Sequence, residues 1–433
     1  MELVTGRCGK VCGEIVVPGD KSISHRALFC GALAEGETDV TGYLPSEDCF
    51  STLQCLQKLG VEIGYSSGTD HLHIKGVGLH GFQPSKELLD AGNSGTTARL
   101  LMGILAGQPF SVTIDGDASL RQRPMRRVIK PLSLMGADFA AAKNNNKPDM
   151  LPLTIKGGNL KAINYKLPVA SAQVKSALLF AALYADGVST VEEPAYSRDH
   201  TEKMLSFLGV NIRHRNRRIY IQGKQKMFGR QLVVPGDFSS AAFFLVAAAL
   251  LPGSELLIKE VGVNPTRTGL LDVLQEMGAE LVIENRRIIG GEPVADLFIK
   301  GSKPLQGVSI GKEIIPRLID EIPVLSVAAA CAATETVIND AQELRVKETD
   351  RLHTITQELR KMGAEIMEKP DGLIIKGRSR LKGAVCDSHG DHRIAMSLAI
   401  AGAVAEGETL IRNAECINIS FPGFVPLYRN LFH

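Results

Sequence analysis

Apolar positions along this chain fall into two recurring phrases. The first is an Ala/Leu helix ending in a small turn, as in LAEGET around Gly36, ILAGQP at Gly107, YADGVST at Gly187, LLPGSE at Gly253 and VAEGET at Gly407. Residues 332–336, AATET, repeat the phrase with Thr334 in place of the turn glycine, which makes six copies. The second phrase is an amphipathic helix that ends Leu/Met-Gly-Val/Ala and runs into a strand, at Gly60, Gly136, Gly209, Gly278 and Gly363. A glycine just past the last periodic residue is a helix C-cap signal, and the residues that follow, such as Val61-Glu62-Ile63 and Ala279-Glu280-Leu281-Val282, alternate as a strand does. The sixth amphipathic helix falls on the segment FVPLYRNLF, which carries no such glycine.

The two phrases interleave into six units of about 72 residues, each reading helix, strand, helix, strand, strand, a size that suits one βαβ-containing element. A third phrase occurs only twice: Val17-Pro18-Gly19-Asp20 and Val234-Pro235-Gly236-Asp237, half the chain apart, each followed by a helix. Proline then glycine makes a stiff-then-permissive turn, which suits two strands crossing between two three-unit domains. The expected division is one domain at residues 20–235, inserted into another formed by residues 1–19 and 236–433.

Composition narrows the class without naming it. An apolar share of 44% over 433 residues excludes a disordered chain, and the longest apolar stretch, residues 241–251, is well short of the ~20 residues a membrane span needs. With no signal segment at the start, a soluble cytoplasmic protein is expected. Net charge is only +2, from 49 basic and 47 acidic residues, so any anion site is local and bulk attraction to nucleic acid or membrane is not expected. The eight cysteines read as free thiols, and Cys386, His389 and His392 lack the fourth ligand of a metal site. Residues 76–81 match G-x-G-x-x-G, but Pro84 follows and no helix begins, so the dinucleotide reading fails its context. The basic stretch 213–218 alternates with Ile212, Ile219 and Tyr220 as an exposed hairpin does.

Chemistry gathers where the first helix of each unit begins. Small polar residues stand there: Ser22 and Ser24, Asn93-Ser94-Gly95-Thr96-Thr97, Ser171, Ser239-Ser240 and Asp391-His392-Arg393. One such start is no more than an N-cap, yet a helix N-terminus also favours anions, and cations accompany these starts: Lys21 and Arg26, Arg123, Lys347 and Arg351, Arg393. Lys347 and Arg351, four apart, share a face if helical. Basic residues at corresponding ends of repeated units suggest a substrate with more than one phosphate or carboxylate. Asp320-Glu321 and Glu348 stand beside the same segments, and a carboxylate ringed by cations can act as a base.

At DKSISHR, GNSGTTARLL, RQRPM, ASAQVKSALL, SRDHTEKML, LIDEIPVL, LRVKETDRL and DHRIAM the chain resembles, from end to end, the EPSP synthase (3-phosphoshikimate 1-carboxyvinyltransferase) family of enolpyruvyl transferases. The resemblance implies a two-domain inside-out α/β barrel of six βαβαββ units, three per domain. It implies transfer of the carboxyvinyl group of phosphoenolpyruvate to the 5-hydroxyl of shikimate 3-phosphate, by addition and elimination of phosphate, without metal or other cofactor, in a glyphosate-target enzyme of aromatic amino acid biosynthesis. Carried over residue by residue, Ser22, Arg26, Ser171, Gln173 and Lys347 would hold shikimate 3-phosphate, with Arg198 lining the same site. Lys21, the turn at Asn93, Gly95 and Thr96, Arg123, Gln173, Arg351 and Arg393 would hold phosphoenolpyruvate. Asp320 would take the proton from the 5-hydroxyl, and Glu348, helped by Lys21, would deliver a proton to the methylene carbon and later remove one.

Two departures stand out: Ser171-Ala172-Gln173 where some members have Ser-Ser-Gln, and Ile419 where some have Lys two residues before Phe-Pro. The expected partners are the two small substrates alone, bound by a monomer, with no nucleic acid and no membrane. A sister transferase acting on UDP-N-acetylglucosamine would need a mobile-loop cysteine, and none lies between Cys55 and Cys331; its Lys-Asn phrase is Lys21-Ser22 here. A non-catalytic anion- or RNA-binding repeat protein leaves Asp320 and Glu348 among the cations unexplained.

Overall fold

Six helices open the six repeats: Lys21–Leu33, Gly95–Leu105, Ala172–Ala182, Phe238–Leu250, Ile322–Cys331 and His392–Val404. They are buried nearly all round, and a helix of that kind is stable only inside a protein; Phe238–Leu250 exposes none of its residues and buries all but Leu250 fully. The computed structural model describes residues 1–142 and 148–432. Each opening helix is followed, after one strand, by a second helix with a polar outer face: Glu47–Lys58, Arg126–Met135, His200–Phe207, Gly269–Glu276, Arg351–Lys361 and Phe424–Leu431. The five cap glycines follow the first five of these in left-handed backbone, from Gly60 at φ 87° to Gly363 at φ 90°.

The turn phrase is less uniform. Gly36, Gly187, Gly253 and Gly407 have positive φ, whereas Gly107 and Thr334 do not. At Gly107 the cause is packing, since a Cβ there would lie 2.2 Å from Cγ of Tyr184. Gly107 still lies in the turn that ends the helix, and there the ring of Tyr184 needs the space. Thr334 is tolerated because its backbone never enters the left-handed region.

Every unit closes with a small mixed sheet, five of four strands and one of three among the described residues. In the second unit Leu89–Asp90 runs parallel to Ser111–Asp115, which pairs antiparallel with Leu153–Lys156, itself antiparallel to Asp138–Ala141. The third repeats this order, and its Ile212–Arg215 and Arg218–Gln222 form the basic hairpin. Residues 76–81 leave the strand Leu72–Val77 into a turn with no helix.

Around the two Val-Pro-Gly-Asp phrases the leading strands are exchanged. Cys12–Val16 precedes the helix Lys21–Leu33 in sequence, yet pairs parallel with Glu255–Gly262. Gln231–Val233 precedes Phe238–Leu250, yet pairs parallel with Glu35–Thr41. Among the described residues no hairpin follows Phe424–Leu431 to complete the sixth sheet, and Leu3–Gly6 pairs antiparallel with Glu408–Arg412 there.

The chain divides into two compact units. One comprises Met1–Pro18, Pro235–Ile288 and Pro293–His433; the other comprises Gly19–Val234 with Ile289–Glu292. Each has its own apolar core, built on its three opening helices. Among the described residues no helix is long and apolar enough to cross a membrane.

Candidate active site

Charged residues that the sequence scatters over 70 positions meet in the discontinuous unit. Asp320, 7% exposed, lies just ahead of the helix Ile322–Cys331, whose Pro323 suits a first turn. Lys347 and Arg351 do not share a helical face. A 3-10 turn over Gln342–Val346 ends at Lys347, and a new helix starts only at Arg351, because the carboxylate of Asp350 caps it by accepting from the His353 amide at 3.1 Å. The two cations still converge, with Lys347 Nζ 3.5 Å and Arg351 Nη1 3.2 Å from the same Oδ1 of Asp320.

Arg351 is the hub of this cluster. Only 1% exposed, it donates from Nε to Asp391 Oδ2 at 2.8 Å and from Nη2 to Glu348 Oε2 at 2.6 Å. Burial lowers the pKa of its guanidinium, but Asp391, Glu348 and Asp320 together outweigh burial and hold it above its ordinary value. Asp391 caps the helix His392–Val404 and also accepts from Thr349 Oγ1 at 3.2 Å. Arg393 donates to the backbone oxygen of Asp320 at 3.3 Å, and its Nη2 lies 3.9 Å from Asp320 Oδ2. Lys347, Arg351 and Arg393 therefore all face Asp320. Its neighbour Glu321 is engaged elsewhere, accepting from the hydroxyl of Ser239, which in turn accepts from Arg267 Nη2 at 2.8 Å.

In the other unit the three opening helices are capped by the side chains of Asp20, Ser94 and Ser171. Lys21 pairs with Asp48 at 2.9 Å. Arg26, 2% exposed, donates from Nε to Thr201 Oγ1 at 2.7 Å, from Nη1 to the Ser22 carbonyl at 2.8 Å and from Nη2 to Ser176 Oγ at 2.9 Å. Burial pulls its pKa down, and Arg198, half-buried on the loop before His200–Phe207, adds a small repulsion.

Around the start of Gly95–Leu105 the groups interlock. Arg123 donates to Asn93 Oδ1 at 2.7 Å and to the Asn93 carbonyl at 3.2 Å, while Asn93 Nδ2 donates to Asp117 at 2.6 Å. Gln173 bridges two helices, donating to Thr96 Oγ1 at 3.0 Å and accepting from Arg99 Nη1 at 2.6 Å. Of the residues singled out from sequence, Asp320, Lys347, Glu348, Arg351, Asp391 and Arg393 thus meet in one charged group, while in the other unit hydrogen bonds join Arg26 to Ser22, Arg123 to Asn93 and Gln173 to Thr96. Sequence reasoning missed Asp48, Arg99, Arg267, Ser176 and Thr201. Of these only Arg99 left a signal, a cation inside an apolar helix. His389 bonds Glu358 at 3.0 Å, and His392 begins a helix.

The sequence model of the EPSP synthase (3-phosphoshikimate 1-carboxyvinyltransferase) family matches residues 7–427. The chain is 55% identical over 425 residues to the 3-phosphoshikimate 1-carboxyvinyltransferase of Desulforamulus reducens, covering 98% of each chain. It is 52% identical over 429 residues to that of Pelotomaculum thermopropionicum, covering 99% of this chain and 98% of the other. A solved EPSP synthase structure from Acinetobacter baumannii is similar with a TM-score of 0.89 at 44% identity, covering 100% of this chain and 98% of that one.

The fold is the inside-out α/β barrel of the enolpyruvyl transferases, with two domains and six repeated units. Within that class the chain belongs to the EPSP synthase family, and it is an enzyme.

Proposed function

We propose that the chain moves the enolpyruvyl group of phosphoenolpyruvate onto the 5-hydroxyl of shikimate 3-phosphate, with the two charged groups supplying the ligands. Shikimate 3-phosphate is assigned to Ser22, Arg26, Ser171, Gln173, Arg198 and Lys347. Phosphoenolpyruvate is assigned to Lys21, the backbone and side chains of residues 93–96, Arg123, Gln173, Arg351 and Arg393. As the 5-hydroxyl oxygen bonds to C2 of phosphoenolpyruvate, its proton passes to Asp320 and a proton from Glu348, assisted by Lys21, reaches C3. Loss of a proton from the new methyl group to Glu348 then reforms the double bond as the C2–O bond to phosphate breaks.

The observation that carries these roles is the cluster at Asp320. One carboxylate faces Lys347, Arg351 and Arg393, while Glu348 sits 2.6 Å from Arg351 and within the same group. Fixed cations beside a proton acceptor stabilise charge that develops on two polyanionic substrates. The eight cysteines are all free thiols, which suits the reducing cytoplasm, where we place the reaction. The test is phosphate release: it should require both substrates together. Release from phosphoenolpyruvate alone, or none with the pair, overturns the reading.

Gly95 gives a second check on the phosphoenolpyruvate assignment. A Cβ there would lie 2.8 Å from Arg99 Nη1 and 3.7 Å from Arg123 Nη1, both far ends of flexible side chains, so Gly95→Ala should fold. Glyphosate, which the family resemblance puts in the phosphoenolpyruvate site, is longer than the substrate and should lose more to the added methyl. The ratio of glyphosate inhibition constant to phosphoenolpyruvate KM is expected to rise by about tenfold or more. An unchanged ratio removes residues 93–96 from the site.

A further inference from the structure

Three more charged side chains are buried beside Arg26. Lys175, on the helix Ala172–Ala182, is 1% exposed among apolar neighbours such as Val174, Ala177 and Leu178. Its Nζ lies 2.8 Å from Glu202 Oε1 and 3.1 Å from Glu193 Oε2, and donates to the Ser197 carbonyl at 3.2 Å. Glu193 and Glu202 are 4% and 2% exposed. The second oxygen of Glu193 accepts from both the amide and the hydroxyl of Ser197, so the pair also grips the residue before Arg198.

The register of the two helices explains the link to Arg26. Ser176 and Thr201, hydrogen-bonded to each other at 2.6 Å, are the groups that receive Nη2 and Nε of Arg26. Their sequence neighbours Lys175 and Glu202 form the next bridge between the same helices. Arg26 therefore donates to hydroxyl and carbonyl oxygens while the nearby carboxylates face Lys175. Lys175 faces the buried carboxylates Glu193 and Glu202, while Glu202 and the buried Asp20 act on Arg26 from a distance. Buried charges are costly unless paired, so removing one cation leaves the remaining carboxylates to find another.

We propose that Lys175 is a positioning residue for the shikimate 3-phosphate site: by holding Glu202 and Glu193 it keeps them off the Arg26 guanidinium and fixes Ser197 ahead of Arg198. The inference rests on the assignment of Arg26 to that substrate. In Lys175→Met, which keeps most of the length of the side chain and loses its charge, Glu202 turns to Arg26 and competes with the substrate.

Equilibrium binding measured by calorimetry tests this without turnover. Lys175→Met should weaken shikimate 3-phosphate by about tenfold or more, while in separate steady-state assays the KM for phosphoenolpyruvate changes by less than about threefold. Lys175→Met/Glu202→Gln, which restores the charge balance, should bind within about threefold of wild type. A merely structural lysine would lower thermal stability and weaken both substrates alike, and the second substitution would not rescue it; that pattern overturns the proposal. Should the single variant fail to fold, the double variant decides. Affinity near wild type supports the charge role, and a tenfold loss puts the effect on the shape of Lys175 and overturns it. Arg26→Lys separates the two layers of the argument. If it leaves shikimate 3-phosphate binding unchanged, the site assignment itself fails. If it weakens binding while Lys175→Met does not, the site stands and the role of Lys175 falls.

Discussion

Asp320→Asn should lower kcat by about a hundredfold or more while the dissociation constant for shikimate 3-phosphate moves by less than about threefold. The amide keeps the size of the side chain and an oxygen that accepts from Lys347 and Arg351, both within 3.5 Å of Oδ1, but it takes up no proton. Glu321 gives no substitute base, because its carboxylate is bonded to the hydroxyl of Ser239. Single-turnover kinetics with direct binding separate the two effects. A variant that turns over at near-normal rate moves the base elsewhere, with Glu348 next in line.

A larger effect on stability is expected at Arg351. Its guanidinium is buried among Asp391, Glu348 and Asp320, and Asp391 is fully enclosed. Arg351→Met removes the shared cation and leaves the enclosed Asp391 without its guanidinium partner, while Asp320 keeps Lys347 and Arg393, a change that costs about 3–5 kcal/mol and lowers the melting temperature by roughly 10 °C. Melting within about 2 °C of wild type at neutral pH would mean that the cluster is solvated rather than enclosed.

The repeat was legible because the same local physics recurs in five of the six units. A glycine in left-handed backbone after an amphipathic helix leaves the same mark at Gly60 and at Gly363. Strand exchange was legible only in outline: the paired Val-Pro-Gly-Asp phrases put Cys12–Val16 with the discontinuous domain, but nothing in the sequence names Glu255–Gly262 as its neighbour. Gly107 shows a related limit, since a glycine required by backbone conformation and one required by a neighbouring ring look the same in a sequence.

At the site, cations beside helix starts could be read because they recur with the repeat. Their partners could not. Asp48 and Arg267 are single charged residues in ordinary-looking segments, and only the folded chain shows Asp48 against Lys21 and Arg267 against Asp237. Lys175 in ASAQVKSALL would pass for a surface lysine reaching past an apolar helix, whereas it is buried. Spacing misled once: Lys347 and Arg351 are four apart, but the chain breaks between a 3-10 turn and a new helix, and what unites them is a shared carboxylate.

The pairing of Leu3 with Ile411 has a consequence for biosynthesis. Gly19–Val234 holds nearly all of one unit in a single stretch, so that half can fold soon after it leaves the ribosome. The other half has to wait. At about 5–20 residues per second, Leu3–Gly6 stays unpaired for roughly 20–80 s before Glu408–Arg412 is translated. During that interval a nascent strand with open hydrogen-bonding edges trails from a finished domain, and a folding helper that covers it would act on Leu3–Gly6, while its release would depend on Glu408–Arg412.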